Sequence, residues 1–214
     1  MVIRELKPSK HVQGRWLAML EDGSILRLSE REVADFALYA GMELDGAQAQ
    51  ELTAAAHLGQ VKEKALDLLS ARPMSRKELT GKLTARPRDR EKAPAATAQE
   101  AETVAEWLER LGYLDDTAYA HDLAERYAAK GYGVRRVQDE LYRRGVPREC
   151  WDAALDALDD PAEEIDAFLR KKLAGKEPDR KELKRASDAL ARRGYQWSDI
   201  SNALRRYGAE LEED

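Results

Sequence analysis

Cysteine is almost absent. Cys150 is the only one in 214 residues, so no intrachain disulfide can form, and the usage fits a reducing compartment. Histidine is nearly as scarce. His11, His57 and His121 are scattered, and none has a histidine or cysteine three or four positions on, so metal-site spacing is missing. Aromatic residues make up 7%. No run of about 18 apolar residues occurs, so no membrane-spanning helix is expected. The opening MVIRELKPSKHVQGRW has no apolar stretch of the kind a signal peptide needs, and a cytoplasmic location is the expectation. There is no Gly-rich phosphate loop, no Gly-x-Ser-x-Gly elbow and no His-Glu-x-x-His. No catalytic residue, cofactor or metal is therefore expected, and an enzyme is the weakest functional class.

What the chain has in abundance is charge. Charged residues are 36% and hydrophobic residues 43%, against about 25% charged in ordinary domains. That balance predicts solvent-washed helices packed in thin layers. The length allows one elongated domain or two or three small modules. The net charge of −5 does not mark a nucleic-acid binder. By segment the net charge is −3 over residues 1–60, +2 over 61–114, −4 over 115–160 and 0 over 161–214. The last value hides a +4 body ahead of an acidic tail at 210–214.

Residues 1–60 predict a small α+β module, a β-hairpin followed by helix. Trp16–Leu20 and Ser24–Leu28 flank Glu21-Asp22-Gly23, and an Asp-Gly pair is a strong hairpin signal. Ser29-Glu-Arg-Glu32 is a capping box opening a helix that carries Val33, Phe36 and Tyr39, with Gly41 as its stop. A second short helix is expected from about Ala47 to His57.

From Val61 onward the apolar pattern is helical and repeats. Val104, Trp107, Leu108 and Leu111 sit at i, i+3, i+4, i+7, as do Trp151, Ala154, Leu155 and Leu158, and again Ile200, Ala203, Leu204 and Tyr207. Each set predicts one buried stripe. Leu141-Tyr-Arg-Arg-Gly145-Val also matches Leu190-Ala-Arg-Arg-Gly194-Tyr. Leading helices are predicted over 61–71, 117–129 and 162–173, with Gly131 and Gly133, then Gly175 and Pro178, as breaks. The result is an elongated, mainly α array of three tandem three-helix repeats at 61–114, 115–160 and 161–209. The first carries a loop insertion at 86–97 (RPRDREKAPAAT). Units this small should stack on their neighbours. The pairs Asp115-Asp116 and Asp159-Asp160 each precede a helix and read as caps. Cys150, beside Trp151, reads as packing.

Leu111-Gly-Tyr-Leu-Asp-Asp-Thr-Ala-Tyr-Ala120 resembles the signature of the RecX family of regulatory proteins. Lys130-Gly-Tyr-Gly-Val-Arg-Arg-Val137, Glu140-Leu-Tyr-Arg-Arg-Gly-Val146, Arg72-Pro-Met-Ser-Arg-Lys-Glu-Leu79 and Arg193-Gly-Tyr195 are similar to further elements of it, in the same order. The match runs from about Val61 to Tyr207. Within the signature, Gly112 is expected to end one helix in a left-handed turn, Tyr113 and Leu114 to plug the junction, and Asp115-Asp116 to start the next helix. Tyr119 and Ala120 follow as structural motif residues. The resemblance implies a regulator of the RecA recombinase in DNA repair, recombination and the SOS response. Such a protein binds the RecA filament on single-stranded DNA and usually inhibits strand exchange, ATP hydrolysis and co-protease activity. It needs no cofactor, and a monomer is expected.

Candidate partner contacts are Arg143 and Arg144, Arg192 and Arg193, Arg135 and Arg136, Lys171 and Lys172, and Arg205 and Arg206, with Lys184 and Arg185 adding charge. The same arginines also have carboxylates four residues away. Arg135–Asp139, Arg136–Glu140, Glu140–Arg144 and Asp188–Arg192 are all spaced as ordinary surface pairs. Tyr132 and Tyr142 suit either base stacking or packing. Two other functions fit the same residues: a direct nucleic-acid-binding protein, and a helical scaffold for another partner.

Overall fold

The computed structural model describes residues 1–87, 93–173 and 179–213, with side chains to residue 208. The expected loop at 86–97 and the break at Gly175 and Pro178 lie partly or wholly outside those residues. The chain is mainly helical with one small antiparallel sheet, and its contacts divide it into two compact units. One unit comprises Met1–Pro73 with Leu79–Tyr113, and the other Met74–Glu78 with the chain from Leu114 onward. Among the described residues no helix is long and apolar enough to cross a membrane.

In the first unit the sheet order is β1-β2-β3: β1 (Ile3–Pro8), β2 (Arg15–Leu20) and β3 (Ile25–Ser29). The β2–β3 hairpin turns at Glu21-Asp22-Gly23. Gly23 takes φ +84° and Asp22 Oδ1 accepts from Ser24 N at 2.9 Å, so the Asp-Gly signal works as expected. β1 was not foreseen. Of its residues only Ile3 is buried and its register is broken between Ile3 and Glu5, so it shows no clean alternation. α1 (Glu30–Asp35) starts at the predicted capping box, with Ser29 Oγ accepting from Glu32 N and Glu32 accepting from Ser29 N. It ends six residues before Gly41. Ala37 adopts φ +47°, Leu38 N donates to Val33 O and Ala37 N to Ala34 O. This is a left-handed helix stop made by alanine instead of glycine, and it turns Leu38 into the core beside Ile3, Leu20, Leu28 and Leu52.

Two expected helices are one. α2 (Gly46–Ala71) opens on an Asp45–Gln48 capping box and runs through residues 58–60 without a break. Gly59 sits mid-helix where the Glu32 side chain crosses: a Cβ would lie 2.8 Å from Glu32 Oε1. α3 (Arg76–Thr84) and α4 (Ala98–Arg110) follow, and α4 begins at a Thr97–Glu100 capping box. Val104 and Leu108 are fully buried, Trp107 is half-buried under Lys62 Nζ at 5.0 Å, and Leu111 is exposed. The expected stripe thus loses its last member, because the helix stops before completing that turn.

The second unit holds α5 (Asp116–Ala128), α6 (Val134–Arg144), a single 3₁₀ turn at Arg148–Cys150, and α7 (Trp151–Asp156). α8 (Ala162–Leu173), α9 (Arg180–Arg192) and α10 (Trp197–Glu213) complete it. The backbone of the expected acidic tail continues α10 as far as Glu213. One core gathers Tyr119, Leu123, Val137, Leu141 and Ala154; the other gathers Ile165, Leu169, Leu190, Tyr195 and Ile200. Each fully buried leucine or isoleucine contributes about 1.5–3 kcal/mol. Asp160 Oδ1 accepts from Ala162 N at 3.0 Å, the predicted cap of α8.

Candidate functional site

All ten basic side chains singled out in the site reading belong to the second unit, so its internal construction decides what they can do. The repeated Leu-x-Arg-Arg-Gly segment ends α6 and α9. Gly145 has φ +70° and Gly194 has φ +90°, and each lets the chain leave its helix in a left-handed turn. Both turns receive the start of another helix. At Gly194, Gly133 N donates to Arg193 O and Arg135 N to Gly194 O, both at 3.0 Å. The free N–H groups of α6 are thereby satisfied by the free carbonyls of α9, and the positive helix end meets a negative one. The backbones touch. A Cβ on Gly133 would fall 2.5 Å from Gly194 C and O, and one on Gly194 would fall 2.4 Å from Arg136 N. At Gly145 the arrangement recurs with a side chain as donor. Ser75, fully buried, donates from Oγ to Arg144 O and accepts from Glu78 N, capping α3. Lys77 lies so close that a Cβ on Gly145 would fall 2.7 Å from its Cδ.

This joint divides the first arginine pair by burial, and in the second pair, where both are exposed, it gives only Arg193 a ring contact. Arg144 turns inward: its Nε donates to Glu140 Oε1 at 2.8 Å, and its Nη1 lies 3.5 Å from Glu78 Oε2. Arg193 lies with its guanidinium 4.9 Å from the Phe168 ring centroid. Arg143 bonds Glu140 through one nitrogen, yet its side chain is 67% exposed. Arg192 is exposed and makes no ion pair among the described residues.

Glu140 anchors this end of α6. It is 2% exposed. Burial pushes its carboxyl upward, but hydrogen bonds from Arg143, Arg144 and Tyr127 more than offset that and hold it at about 2. Both arginines in turn are held above their ordinary value, chiefly by their bonds to Glu140.

The other candidates divide similarly. Arg206 grips Asp166 with two nitrogens at 3.1 and 2.8 Å, tying α10 to α8. Arg136 lies 6.0 Å over the Tyr132 ring, which also packs on Tyr127 with centroids 5.5 Å apart. Tyr132 is therefore half-buried and engaged, whereas Tyr142 is 72% exposed. Arg135, Lys171, Lys172 and Arg205 are exposed without an ion pair among the described residues. The motif residues serve the fold. Gly112 has φ +73°, Leu114, Tyr119 and Ala120 are buried, and Asp115 Oδ1 accepts from Thr117 N and Ala118 N at 2.9 Å. Asp116 Oδ1 accepts from Arg76 N at 2.8 Å. Tyr113 does not plug anything: it is exposed, because the Gly112 turn directs only Leu114 inward.

Sequence reasoning missed Ser75, Glu78 and the glycine pairing. Gly133 carried a signal: at φ −81° it needs no glycine for its conformation, so the residue type points to a close neighbour.

Helical triplets joined end to end, with arginines at one repeated position, define a helical repeat protein that presents basic side chains. The chain belongs to the RecX family of regulatory proteins. A family model described as RecX, second three-helix domain, matches residues 115–155. A "Regulatory protein RecX" of Stenotrophomonas maltophilia (strain R551-3) is 37% identical over 145 residues, 67% of this chain and 84% of that protein. Its counterpart in Chlorobium limicola (strain DSM 245) is 34% identical over 155 residues, 70% and 92% of the two chains. The fold matches a crystal structure of regulatory protein RecX with TM-score 0.72 at 20% identity, covering 95% of this chain and 98% of that one. RecX from Lactobacillus salivarius matches with TM-score 0.61 at 18% identity, covering 71% and 97%.

Proposed function

We propose that this protein is a non-enzymatic regulator that binds the RecA filament on single-stranded DNA and lowers its ATPase, strand-exchange and co-protease activities. The observation that carries the reading is the 37% identity to a regulatory protein RecX across 84% of that relative, since the RecX resemblance implies RecA as partner. The three helical repeats at 61–114, 115–160 and 161–209 present the contact. Arg143 and Arg192 are its repeated elements: they occupy the same position before Gly145 and Gly194, and both face solvent. Guanidinium groups at such sites suit phosphates and acidic protein surface. Arg144 is engaged with Glu140 and Glu78 and Arg193 lies over the Phe168 ring, so both are left out of the contact set.

The test is the ATPase rate of the cognate RecA on single-stranded DNA, titrated with this chain and with the Arg143→Ala, Arg192→Ala double variant. The wild type inhibits below one molecule per RecA protomer. The variant needs about tenfold more protein, corresponding to about 1.4 kcal/mol of lost contact, with its melting temperature unchanged. No inhibition and no filament binding by the wild type would overturn the reading.

A second reading, direct contact with single-stranded DNA, is favoured by Tyr142, which stands exposed beside Arg143 and presents a ring on which a base can stack.

A further inference from the structure

The joint between α6 and α9 has a cleft beside it, of about 380 Å³, within the range of small-ligand sites. Four carboxylates line it: Glu125 from α5, Asp159 from the α7–α8 link, Glu164 from α8 and Asp199 from α10. No lysine or arginine among the described residues lines it, and none of the four makes an ion pair there. Among the described residues Asp199 accepts only from the Ser198 hydroxyl, at 3.1 Å. Like charges gathered around a concave, partly apolar wall focus a negative potential.

Tyr195 supplies an independent pointer to a ligand. It lines the cleft and is 5% exposed, and its hydroxyl, open to the cleft, makes no hydrogen bond to protein among the described residues. Buried tyrosine hydroxyls usually have one. Burial and the nearby charge of Glu164 both push its phenol above the ordinary value, against the opposing Arg193, so Tyr195 and Glu164 act on the same space.

The chemistry of the occupant follows by exclusion. An anion is disfavoured by the four carboxylates, and the helix end that would attract one is occupied: Gly133 N and Arg135 N already donate to Arg193 O and Gly194 O. A metal ion is disfavoured too, because among the described residues no three acidic, histidine or cysteine side chains converge closely enough to hold one. Carboxylates spread around a rim suit a larger organic cation. Leu158 and Pro161 offer apolar surface for a methylene stem, and the Tyr132 ring offers a face for a planar guanidinium. Gln196 lines the cleft, and the next residue in the chain, Trp197, is 62% exposed. An exposed indole one residue from the lining favours a polypeptide partner over a free small molecule.

We propose that this cleft receives an arginine side chain of a protein partner, with Glu164 and Asp199 as counter-charges and the Tyr195 hydroxyl as acceptor. The site is acidic, whereas the RecA-contacting side chains proposed above are basic, so the two surfaces are separable by mutation.

The test is a ¹H–¹⁵N titration of the full chain with acetyl-Ala-Arg-Ala-amide and with its neutral citrulline analogue. The arginine peptide shifts the amides of Tyr132, Val134, Leu158 and Tyr195 with a Kd of about 1 mM, and the citrulline peptide does not. Glu164→Gln with Asp199→Asn weakens binding about tenfold, without lowering the melting temperature, because it relieves like-charge repulsion. Tyr195→Phe weakens it a few-fold. Equal binding of the citrulline peptide, or unchanged affinity in the double variant, would sink the assignment. Displacement of the peptide by an equal concentration of spermidine would reassign the cleft to free cations and overturn the protein partner.

Discussion

A buried carboxylate is tolerated only when charge and hydrogen bonds replace water, and Glu140 meets that condition through Arg143, Arg144 and Tyr127. Its folded pKa of about 2 lies below the ordinary 4.5. The stability it provides is therefore fully present above about pH 4.5 and is lost as pH falls through about 2. Glu140→Gln is expected to destabilise at neutral pH by about 2 kcal/mol, less than a fully buried pair because Arg143 stays solvated. Chemical denaturation between pH 2 and 5 checks this: the variant's stability changes less with pH than the wild type's. The spacing of α6 and α9 offered four equivalent ion pairs. Only Glu140–Arg144 forms; Arg135–Asp139, Arg136–Glu140 and Asp188–Arg192 do not occur among the described residues. Periodicity shows which residues can meet, and burial decides which do.

At the level of elements, ends were legible where side chains make them. The capping box at Ser29 and the caps at Asp115 and Asp160 are local, and they appear where the sequence puts them; the Thr97–Glu100 box is equally local and was passed over inside the expected loop. Ends made by tertiary context were not legible. Ala37 stops α1 in a conformation that alanine disfavours, and the core position of Leu38 compels it. Ala37→Gly should stabilise the protein by about 1 kcal/mol, read as a higher denaturation midpoint with an unchanged slope. The expected break between His57 and Val61 does not occur, because α2 runs on through Gly59, where the Glu32 side chain of α1 crosses. The joint gives the opposite sign. Gly133→Ala places a methyl group 2.5 Å from the Gly194 carbonyl and should cost about 3 kcal/mol. Gly81→Ala, in α3 with nothing within 4 Å of the added carbon, should instead gain about 0.5–1 kcal/mol. Thermal unfolding of the two variants side by side checks both.

Over the whole chain, the mainly helical character was legible because the apolar stripe recurs, and the likeness of α6 to α9 because the Arg-Arg-Gly turn does. The acidic cleft was not, because its walls come from α5, α6, α8, α10 and three links that no spacing rule connects. Net charge also sets an expectation at this scale. At −5, few phosphates can be neutralised at once, and that neutralisation supplies most non-specific affinity for DNA. Without RecA, the protein should leave single-stranded DNA unshifted in a gel at about 0.15 M salt. A shift that weakens steeply with added salt would favour direct DNA contact over the filament reading.

The meeting of α6 and α9 is made of peptide groups, with glycine as its only compositional demand. A connection of that kind is indifferent to the side chains around it. α6 carries both halves, a Gly133 start that donates and a Gly145 turn that accepts, so copying its triplet would yield a neighbour already able to dock. Surfaces can then diverge freely while the chain lengthens or shortens by whole triplets.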